Sequence, residues 1–203
     1  MKRKLDGTFF EFQHHNTAEG KYWNPTLSDF TDEDWRLKVR EIAELGMEYI
    51  VLMATALYDE CYFKSSVFPK AETVCADPIE ALLDEADKCG VKVFLGNGFY
   101  GDWTKPHQNI TSREIIDRTF RAMDELTALY GHHESFYGWY FPDETCIILR
   151  FSKDFMNYVN LCSKRCAEIT PGKKTLIAPY GTNLTLTNER YVRTLTEIDV
   201  DFI

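Results

Sequence analysis

The segment Phe136-Tyr-Gly-Trp-Tyr-Phe-Pro-Asp-Glu144 decides how the rest of the chain is interpreted. Its aromatic residues favour a packed β-strand, and Pro142 lacks the N–H that a central strand donates, so the strand must end there. Asp143 and Glu144 are therefore predicted just after the carboxyl end of a buried strand. In parallel α/β folds, ligands bind at this end of the strands. A helix cap followed by a solvated carboxylate is the alternative interpretation.

Strand and helix patterns alternate on both sides of this segment. Helices are predicted after the N-cap residues Thr31, Asp77, Thr111 and Ser152, and a further helix over about residues 187–198. A long loop is predicted over 57–76. Repeated β–α units with short returns imply a parallel sheet. The other predicted strands cover residues 7–13, 49–54, 91–95, 175–180 and 200–203.

These five and a half β–α units predict an α/β fold, a TIM-type (β/α)8 barrel, in a single domain over residues 1–203. A full barrel takes about 250 residues. The pattern therefore predicts an incomplete barrel, whose last strands would follow Ile203. An open doubly wound parallel sheet of six strands is the competing prediction.

Composition limits the partners and the compartment. A net charge of −9 argues against nucleic acid or an anionic membrane surface as a partner, and no apolar run reaches the roughly 20 residues that a membrane span needs. The basic residues 1–4 are not followed by the apolar core of a signal peptide, so the chain is expected to be cytoplasmic unless a leader was removed. The six cysteines lack C-x-x-C spacing, which predicts free thiols.

A carboxylate pair beside aromatic rings suggests acid/base chemistry on a neutral sugar. The predicted catalytic residues are Glu144, Asp143 and Glu11. Period-two alternation along the first strand places Phe9, Glu11 and Gln13 on one side, which would face the barrel mouth. Aromatic and polar residues in loops after strands are predicted to bind the sugar: Gln13, His14, Trp23, Tyr58, Asn97, Tyr100, Trp103, Tyr140 and Tyr180. His15 is an alternative to His14.

Two other patterns resemble cofactor or metal motifs but are interpreted differently. Gly96-Asn-Gly-Phe-Tyr-Gly101 has the G-x-G-x-x-G spacing of a dinucleotide fingerprint, but no helix is predicted to open within the glycines, so no cofactor is expected. This segment is interpreted as part of a flexible loop that presents Asn97, Phe99, Tyr100 and Trp103 to a ligand. His132 and His133 precede the fourth strand, which places them at the opposite end of the barrel from Glu144, in a surface role. Adjacent residues on an extended chain point to opposite faces, so no metal site is predicted.

The segment Gly138-Trp-Tyr-Phe-Pro-Asp-Glu144 resembles the Gly-Trp-Tyr-x-Pro-x-Glu motif of a bacterial family of glycosidase-like (β/α)8 barrels catalogued as a domain of unknown function. The resemblance spans nearly the whole chain. It implies a fold near that of the large retaining glycosidase clan, in which a strand-four glutamate is the acid/base and a strand-seven glutamate is the nucleophile. Glu144 matches the first position, and the second would lie beyond Ile203.

The sequence therefore predicts a glycoside hydrolase that acts on a carbohydrate through carboxylate acid/base catalysis. Two alternatives remain open. One is a carbohydrate-binding barrel without hydrolytic activity, in which binding would survive the loss of Glu144. The other is a metal-dependent barrel enzyme that uses Asp143, Glu144 and His14.

Overall fold

The computed structural model of the protein describes residues 5–203. Five parallel strands form the main sheet: β1 (Gly7–Phe10), β2 (Tyr49–Leu52), β5 (Lys92–Gly96), β6 (Phe136–Tyr140) and β7 (Lys174–Leu176). A small antiparallel hairpin, β3 (Ala56–Leu57) and β4 (Glu60–Cys61), follows β2. The helices are α1 (Asn24–Ser28), α2 (Asp32–Glu44), α3 (Pro78–Cys89), α4 (Pro106–Thr111), α5 (Arg113–Tyr130), α6 (Lys153–Ile169) and α7 (Glu189–Glu197).

The order of the strands identifies the architecture. The strands of the main sheet lie side by side in the order β1-β2-β5-β6-β7, which is also their order along the chain. Phe202 forms a parallel bridge with Leu176, so the chain begins a sixth position in the same order. In a doubly wound sheet, the spatial order of the strands would reverse at a switch point. The sequential order is that of a TIM-type barrel, and the barrel prediction is confirmed over its competitor.

Short-range signals determine where the helices begin. Thr31 caps α2 in a reciprocal capping box with Asp34, while Asp77 caps α3 and Ser152 caps α6. These three N-caps are confirmed. The predicted cap Thr111 is wrong, because Thr111 is the last residue of α4 and Ser112 accepts from the backbone N–H of Ile115 to start α5.

The observed strands are shorter than the predicted ones. β1 ends at Phe10 rather than residue 13, and β7 ends at Leu176 rather than residue 180. Residues beyond both strand ends, such as His15 and Ala178, line the barrel mouth. The predicted loop over 57–76 contains the β3–β4 hairpin, whose turn residues Tyr58 and Asp59 have positive φ.

Two apolar layers flank the sheet, as a barrel requires. The larger layer packs the sheet against the helices and contains Trp35, Leu82 and Phe155. The smaller layer lies on the inner face of the sheet and is formed by Val51, Phe94 and Tyr140. The six cysteines all lie within residues 5–203 and are free thiols, as predicted. None of the helices in this range combines the length and the apolar character that a membrane span requires.

The paired histidines behave differently from each other. His132 is exposed, whereas His133 is buried, and its ring contacts the carboxylates of Asp87 and Glu80 on α3. The surface role predicted for His133 is wrong. The two residues lie in a turn, where their rings approach to 4.2 Å between centroids, rather than on an extended segment that would separate them. They precede β6, while Glu144 follows it.

Candidate active site

A cavity of about 640 Å³ opens at the carboxyl ends of the strands. Residues after β1, β2, β5, β6 and β7 all contribute to it, because parallel strands bring their following loops to one edge of the sheet. Its wall is largely aromatic, with two carboxylates on one side. The lining residues are Phe9, His15, Met53, Phe99, Trp103, Thr104, Pro106, Tyr140, Pro142, Asp143, Glu144, Ala178 and Tyr180.

Glu144 lies four residues beyond Tyr140, the last residue of β6, and its carboxylate accepts a hydrogen bond from the Tyr140 hydroxyl. Burial raises the pKa of Glu144 to about 7, and the hydrogen bond from Tyr140 partly opposes this rise. A carboxyl group with such a pKa carries its proton in about half of the molecules at neutral pH. It can therefore donate or accept a proton under physiological conditions.

Asp143 is the most enclosed carboxylate of the cavity, with 3% of its surface exposed. Its Oδ1 accepts a hydrogen bond of 2.6 Å from Asn109 Nδ2. Burial raises the pKa of Asp143 to about 6, and the contact with Asn109 lowers it. The side chain is consequently fixed by α4, the short helix that carries Asn109.

Tyr140 connects the three predicted catalytic carboxylates. Burial raises the pKa of the Tyr140 phenol far above its usual value, and the charges of Glu144, Asp143 and Glu11 raise it further. All three carboxylates are thus close enough to Tyr140 to act on it electrostatically. Asp143 and Glu144 line the cavity, whereas Glu11 lies in the loop after β1 and is not part of the cavity wall.

Glu11 also belongs to a cluster with two histidines in the loop after β1. Its Oε2 lies 2.8 Å from His14 Nδ1 and its Oε1 lies 3.5 Å from His15 Nδ1. Burial lowers the pKa of His14, but hydrogen bonds with Glu19 and Glu11 outweigh it and raise the pKa above its usual value. One ligand atom from each of Glu11, His14 and His15 lies within 4.8 Å of the others, which is compatible with a metal ion.

Glycines after β5 allow the neighbouring loops to approach the carboxylates closely. A Cβ on Gly98 would lie 2.7 Å from Pro142 Cγ and 3.5 Å from Asp143 Oδ2. A Cβ on Gly101 would lie 2.3 Å from Asn109 Oδ1. The next helix begins only at Pro106, so no helix opens within these glycines, as predicted.

Five of the predicted sugar-binding residues lie in or near the cavity. Trp103, Tyr140 and Tyr180 line the cavity. Tyr58 lies at its edge, where its hydroxyl contacts the His15 carbonyl and accepts a hydrogen bond from the Trp103 indole N–H. Trp23 is half-exposed beside His14, outside the cavity wall.

Three other predicted sugar-binding residues do not line this cavity. Asn97 is fully buried against Met123 and Cys162 in the helix layer, and Tyr100 is fully buried with its hydroxyl on Thr55. Neither can touch a ligand in the cavity. Gln13 lies behind the wall, where it donates to Ser28 and accepts from Tyr62.

The cavity also contains Phe9, which the sequence analysis did not select, together with Phe99 and His15, which it gave only as secondary candidates. Phe9 and Phe99 contribute rings to its wall, and His15 rather than His14 faces it. His15 packs edge-on against Trp103 at 4.7 Å between ring centroids. Asn109 was missed because its role depends on contact with Asp143, which is distant in sequence. The alternation along β1 identified the side on which Phe9 lies, but Phe9 was not chosen as a binding residue.

Comparison with known protein families shows to which family the chain belongs. The family described as Domain of unknown function (DUF4434) matches residues 5–201. The protein is a member of this family. No curated protein shows significant similarity to this DUF4434 chain.

Solved structures of glycoside hydrolases share the fold of this DUF4434 domain. A Bacteroides thetaiotaomicron protein, provisionally assigned as an α-L-fucosidase, aligns with a TM-score of 0.64 and 20% identity over 87% of this chain and 51% of its own. The endo-β-1,4-mannanase of Thermotoga petrophila gives 0.58 and 10% over 87% and 43%. The endo-1,4-β-mannanase of Rhizomucor miehei gives 0.55 and 12% over 87% and 56%. The chain thus spans about half the length of these structures.

Proposed function

We propose that the barrel mouth is the active site of a glycoside hydrolase in which Glu144 is the general acid/base. One observation carries this proposal: Glu144 follows β6 at the carboxyl end of the sheet, in an aromatic cavity that raises its carboxyl pKa to about 7. A general acid is most effective when its pKa is near the working pH. The barrel fold shared with glycoside hydrolases supports the proposal.

The residues around Glu144 suit the steps of glycosidic bond cleavage. Protonated Glu144 would donate its proton to the oxygen of the leaving group, and the resulting carboxylate would keep the hydrogen bond from Tyr140. Asp143, held by Asn109 behind the wall, positions the end of β6 and adds negative charge. Asp143 is therefore assigned a positioning role.

Glycoside hydrolysis of this kind needs a second carboxylate across the bond that breaks. The resemblance noted above places a nucleophile on the seventh strand of a complete barrel. Residues 5–203 contain the first five barrel strands, of which β7 is the fifth, and the start of a sixth. Within the described residues, Glu11 is the candidate for this second carboxylate. It lies in the loop after β1, and its charge raises the pKa of Tyr140. Glu11 could accept a proton from water or stabilise positive charge on the sugar.

The residues that line the cavity favour a neutral sugar ring as the ligand. Phe9, Phe99, Trp103 and Tyr180 offer apolar ring faces of the type on which sugars stack. The carboxylates on the opposite side would repel an anionic group. The proteins of similar fold are named for activity on fucosides and mannans, so aryl fucosides and mannosides are the first substrates to test.

The test compares the wild-type chain, Glu144→Gln and the control Glu134→Gln, which changes an exposed glutamate before β6. Hydrolysis of aryl fucosides, mannosides, glucosides and galactosides is measured together with sugar binding. We expect Glu144→Gln to reduce kcat/KM by at least about a hundredfold, with binding retained and Glu134→Gln unchanged. Binding without hydrolysis in all three proteins would instead identify a non-catalytic carbohydrate-binding barrel.

A metal-dependent enzyme is the second candidate, and the Glu11, His14 and His15 cluster favours it. The combination of Asp143, Glu144 and His14 is less suitable, because Asp143 bonds to Asn109 and Glu144 bonds to Tyr140. Hydrolysis that disappears on treatment with a chelator, returns with added metal and is lost in His15→Ala would support this candidate. Hydrolysis that is insensitive to the chelator would reject it.

A further inference from the structure

A second cluster of histidines and carboxylates lies away from the barrel mouth, between α3 and the turn before β6. Glu80 on α3, His132 and His133 each present one ligand atom, and these atoms lie within 4.8 Å of one another. His133 Nε2 is 3.3 Å from Glu80 Oε2. This cluster has no part in the function proposed above.

The orientation of the His133 ring is fixed from its other side. His133 Nδ1 lies 2.6 Å from Asp87 Oδ2, and Asp87 Oδ1 accepts the backbone N–H of Ser135 at 2.6 Å. The Asp87 carboxylate accepts these two hydrogen bonds, so the N–H of the His133 ring lies on Nδ1, and Nε2 is the nitrogen on the Glu80 side.

This tautomer leaves the Nε2 side of His133 directed at Glu80. Nε2 of His133 lies 3.3 Å from the Glu80 carboxylate oxygen. A cation held between these two ligand atoms would be bound by both of them. Ligand atoms about 2.0–2.2 Å from a tetrahedral Zn²⁺ ion are separated by about 3.3 Å, which matches the distance between His133 Nε2 and Glu80 Oε2.

We propose that Glu80, His132 and His133 bind a divalent transition-metal ion of the Zn²⁺ type. Two imidazoles and one carboxylate suit Zn²⁺, with water in the remaining position. Asp87 supplies the carboxylate that commonly orients a metal-bound histidine through its second nitrogen. The ion would link α3 to the turn before β6, on the far side of this strand from Glu144, and would stabilise the fold rather than take part in catalysis.

The Glu11, His14 and His15 cluster provides a matched comparison within the same chain. There, His14 is 21% exposed at its side chain, compared with 5% for His133. Glu11 directs one oxygen to each histidine, so its charge accounts for both contacts. All three residues belong to a loop, whereas Glu80 and Asp87 are fixed on one helix.

The test is calorimetric titration of the metal-free chain with ZnCl₂, with thermal unfolding in parallel. We expect one Zn²⁺ ion to bind and to raise Tm by about 5–10 °C at a hundredfold excess over Kd. Glu80→Gln and His132→Ala should each weaken binding at least about tenfold, because each removes one ligand. His14→Ala should bind Zn²⁺ as tightly as the wild type.

His133 is buried and is left unchanged, and circular dichroism verifies that each variant is folded. The proposal is overturned if the wild type binds no Zn²⁺. It is also overturned if Glu80→Gln and His132→Ala both bind as tightly as the wild type. Loss of binding in His14→Ala alone would move the metal site to the barrel mouth.

Discussion

Asp143 and Glu144 are adjacent, yet different neighbours control their protonation. Burial raises both pKa values, to about 6 for Asp143 and to about 7 for Glu144. Asn109 donates to the first carboxylate and Tyr140 to the second, and each contact favours the ionised form. The two groups can therefore be perturbed separately by substitutions at Asn109 and Tyr140.

The first prediction concerns the pH dependence of hydrolysis. If Glu144 must be protonated to act as the general acid, kcat/KM should fall as pH rises through about 7. Tyr140→Phe removes the hydrogen bond that lowers this pKa, so the decline should move to higher pH. The measurement is the pH profile of kcat/KM for both proteins. An unchanged profile in Tyr140→Phe would contradict the assigned role of this contact.

The second prediction concerns stability and Asp143. Its folded-state pKa of about 6 lies above the usual 3.8, so the folded chain loses stability as pH rises from about 4 to about 6. Asp143→Asn removes this ionisation and keeps an acceptor for Asn109. Above pH 7 the variant should be more stable by about 2–3 kcal/mol, with no difference below pH 4. Urea unfolding across this pH range provides the measurement, and equal stability at pH 8 would refute the burial of a charged Asp143.

Single residues show where prediction from sequence succeeds and where it stops. The position of Glu144 after β6 followed from Pro142, because a proline cannot continue a central strand. His14 and His15 were both candidates, as were Phe99 and Tyr100, but only His15 and Phe99 line the cavity. The chain leaves strand geometry after β1 and β5, so alternation no longer tells which of two adjacent side chains points inward.

At the level of elements, the loop after β5 positions the carboxylates. The absence of a side chain at Gly98 lets this loop approach Pro142 and Asp143, and Gly101 allows Asn109 to approach in the same way. The loop also hydrogen-bonds to the segment after β2, where the Thr55 and Phe99 N–H groups donate to the Gly98 and Ala56 carbonyls. A disturbance at Gly98 should therefore spread to the active site.

The third prediction compares two glycine substitutions. In Gly98→Ala, the new Cβ would lie 2.7 Å from Pro142 Cγ, so the segment with Asp143 and Glu144 must shift. We expect kcat/KM to fall at least about tenfold, since small displacements at a reacting centre are costly. Gly90→Ala is the control: Gly90 has φ of 70° and open space around it, so stability should drop by about 1–2 kcal/mol with kcat/KM unchanged. Equal kcat/KM in both variants would show that the loop does not position the site.

The helices were easier to predict than the strand ends. Thr31, Asp77 and Ser152 mark helix starts through side-chain bonds to nearby N–H groups, which are local and visible in the sequence. Thr111 and Ser112 are both suitable caps, and only the presence of α4 decides between them. Strand ends depend on pairing with neighbours, which is why β1 and β7 were predicted too long.

At the scale of the whole molecule, the sequential strand order of the described residues leaves two sheet edges. Among residues 5–203, β1 pairs only with β2, and the Phe202 bridge is the last contact on the other side. Leu5 and Ile203 are exposed apolar residues at these edges. Unpaired edges with apolar residues promote association between chains.

The fourth prediction is that the 203-residue chain self-associates through these edges. Sedimentation velocity over a range of concentrations should show dimers or larger species. The double substitution Leu5→Lys and Ile203→Lys places charge at both edges and should shift the chain towards monomer, whereas Val74→Lys, at an exposed residue away from the edges, should not. A wild-type chain that stays monomeric at high concentration would contradict this prediction.

The central claim is that Glu144 donates a proton to the leaving group, and the dependence on leaving-group ability tests it most directly. The measurement is kcat/KM of wild type and Glu144→Ala on two aryl glycosides of the same sugar, one with a phenol and one with a dinitrophenol leaving group. A dinitrophenolate departs without a proton, so we expect Glu144→Ala to lose at least about a hundredfold on the phenyl glycoside and little on the dinitrophenyl glycoside. Equal losses on both substrates, or none on either, would contradict the assignment of Glu144 as the general acid.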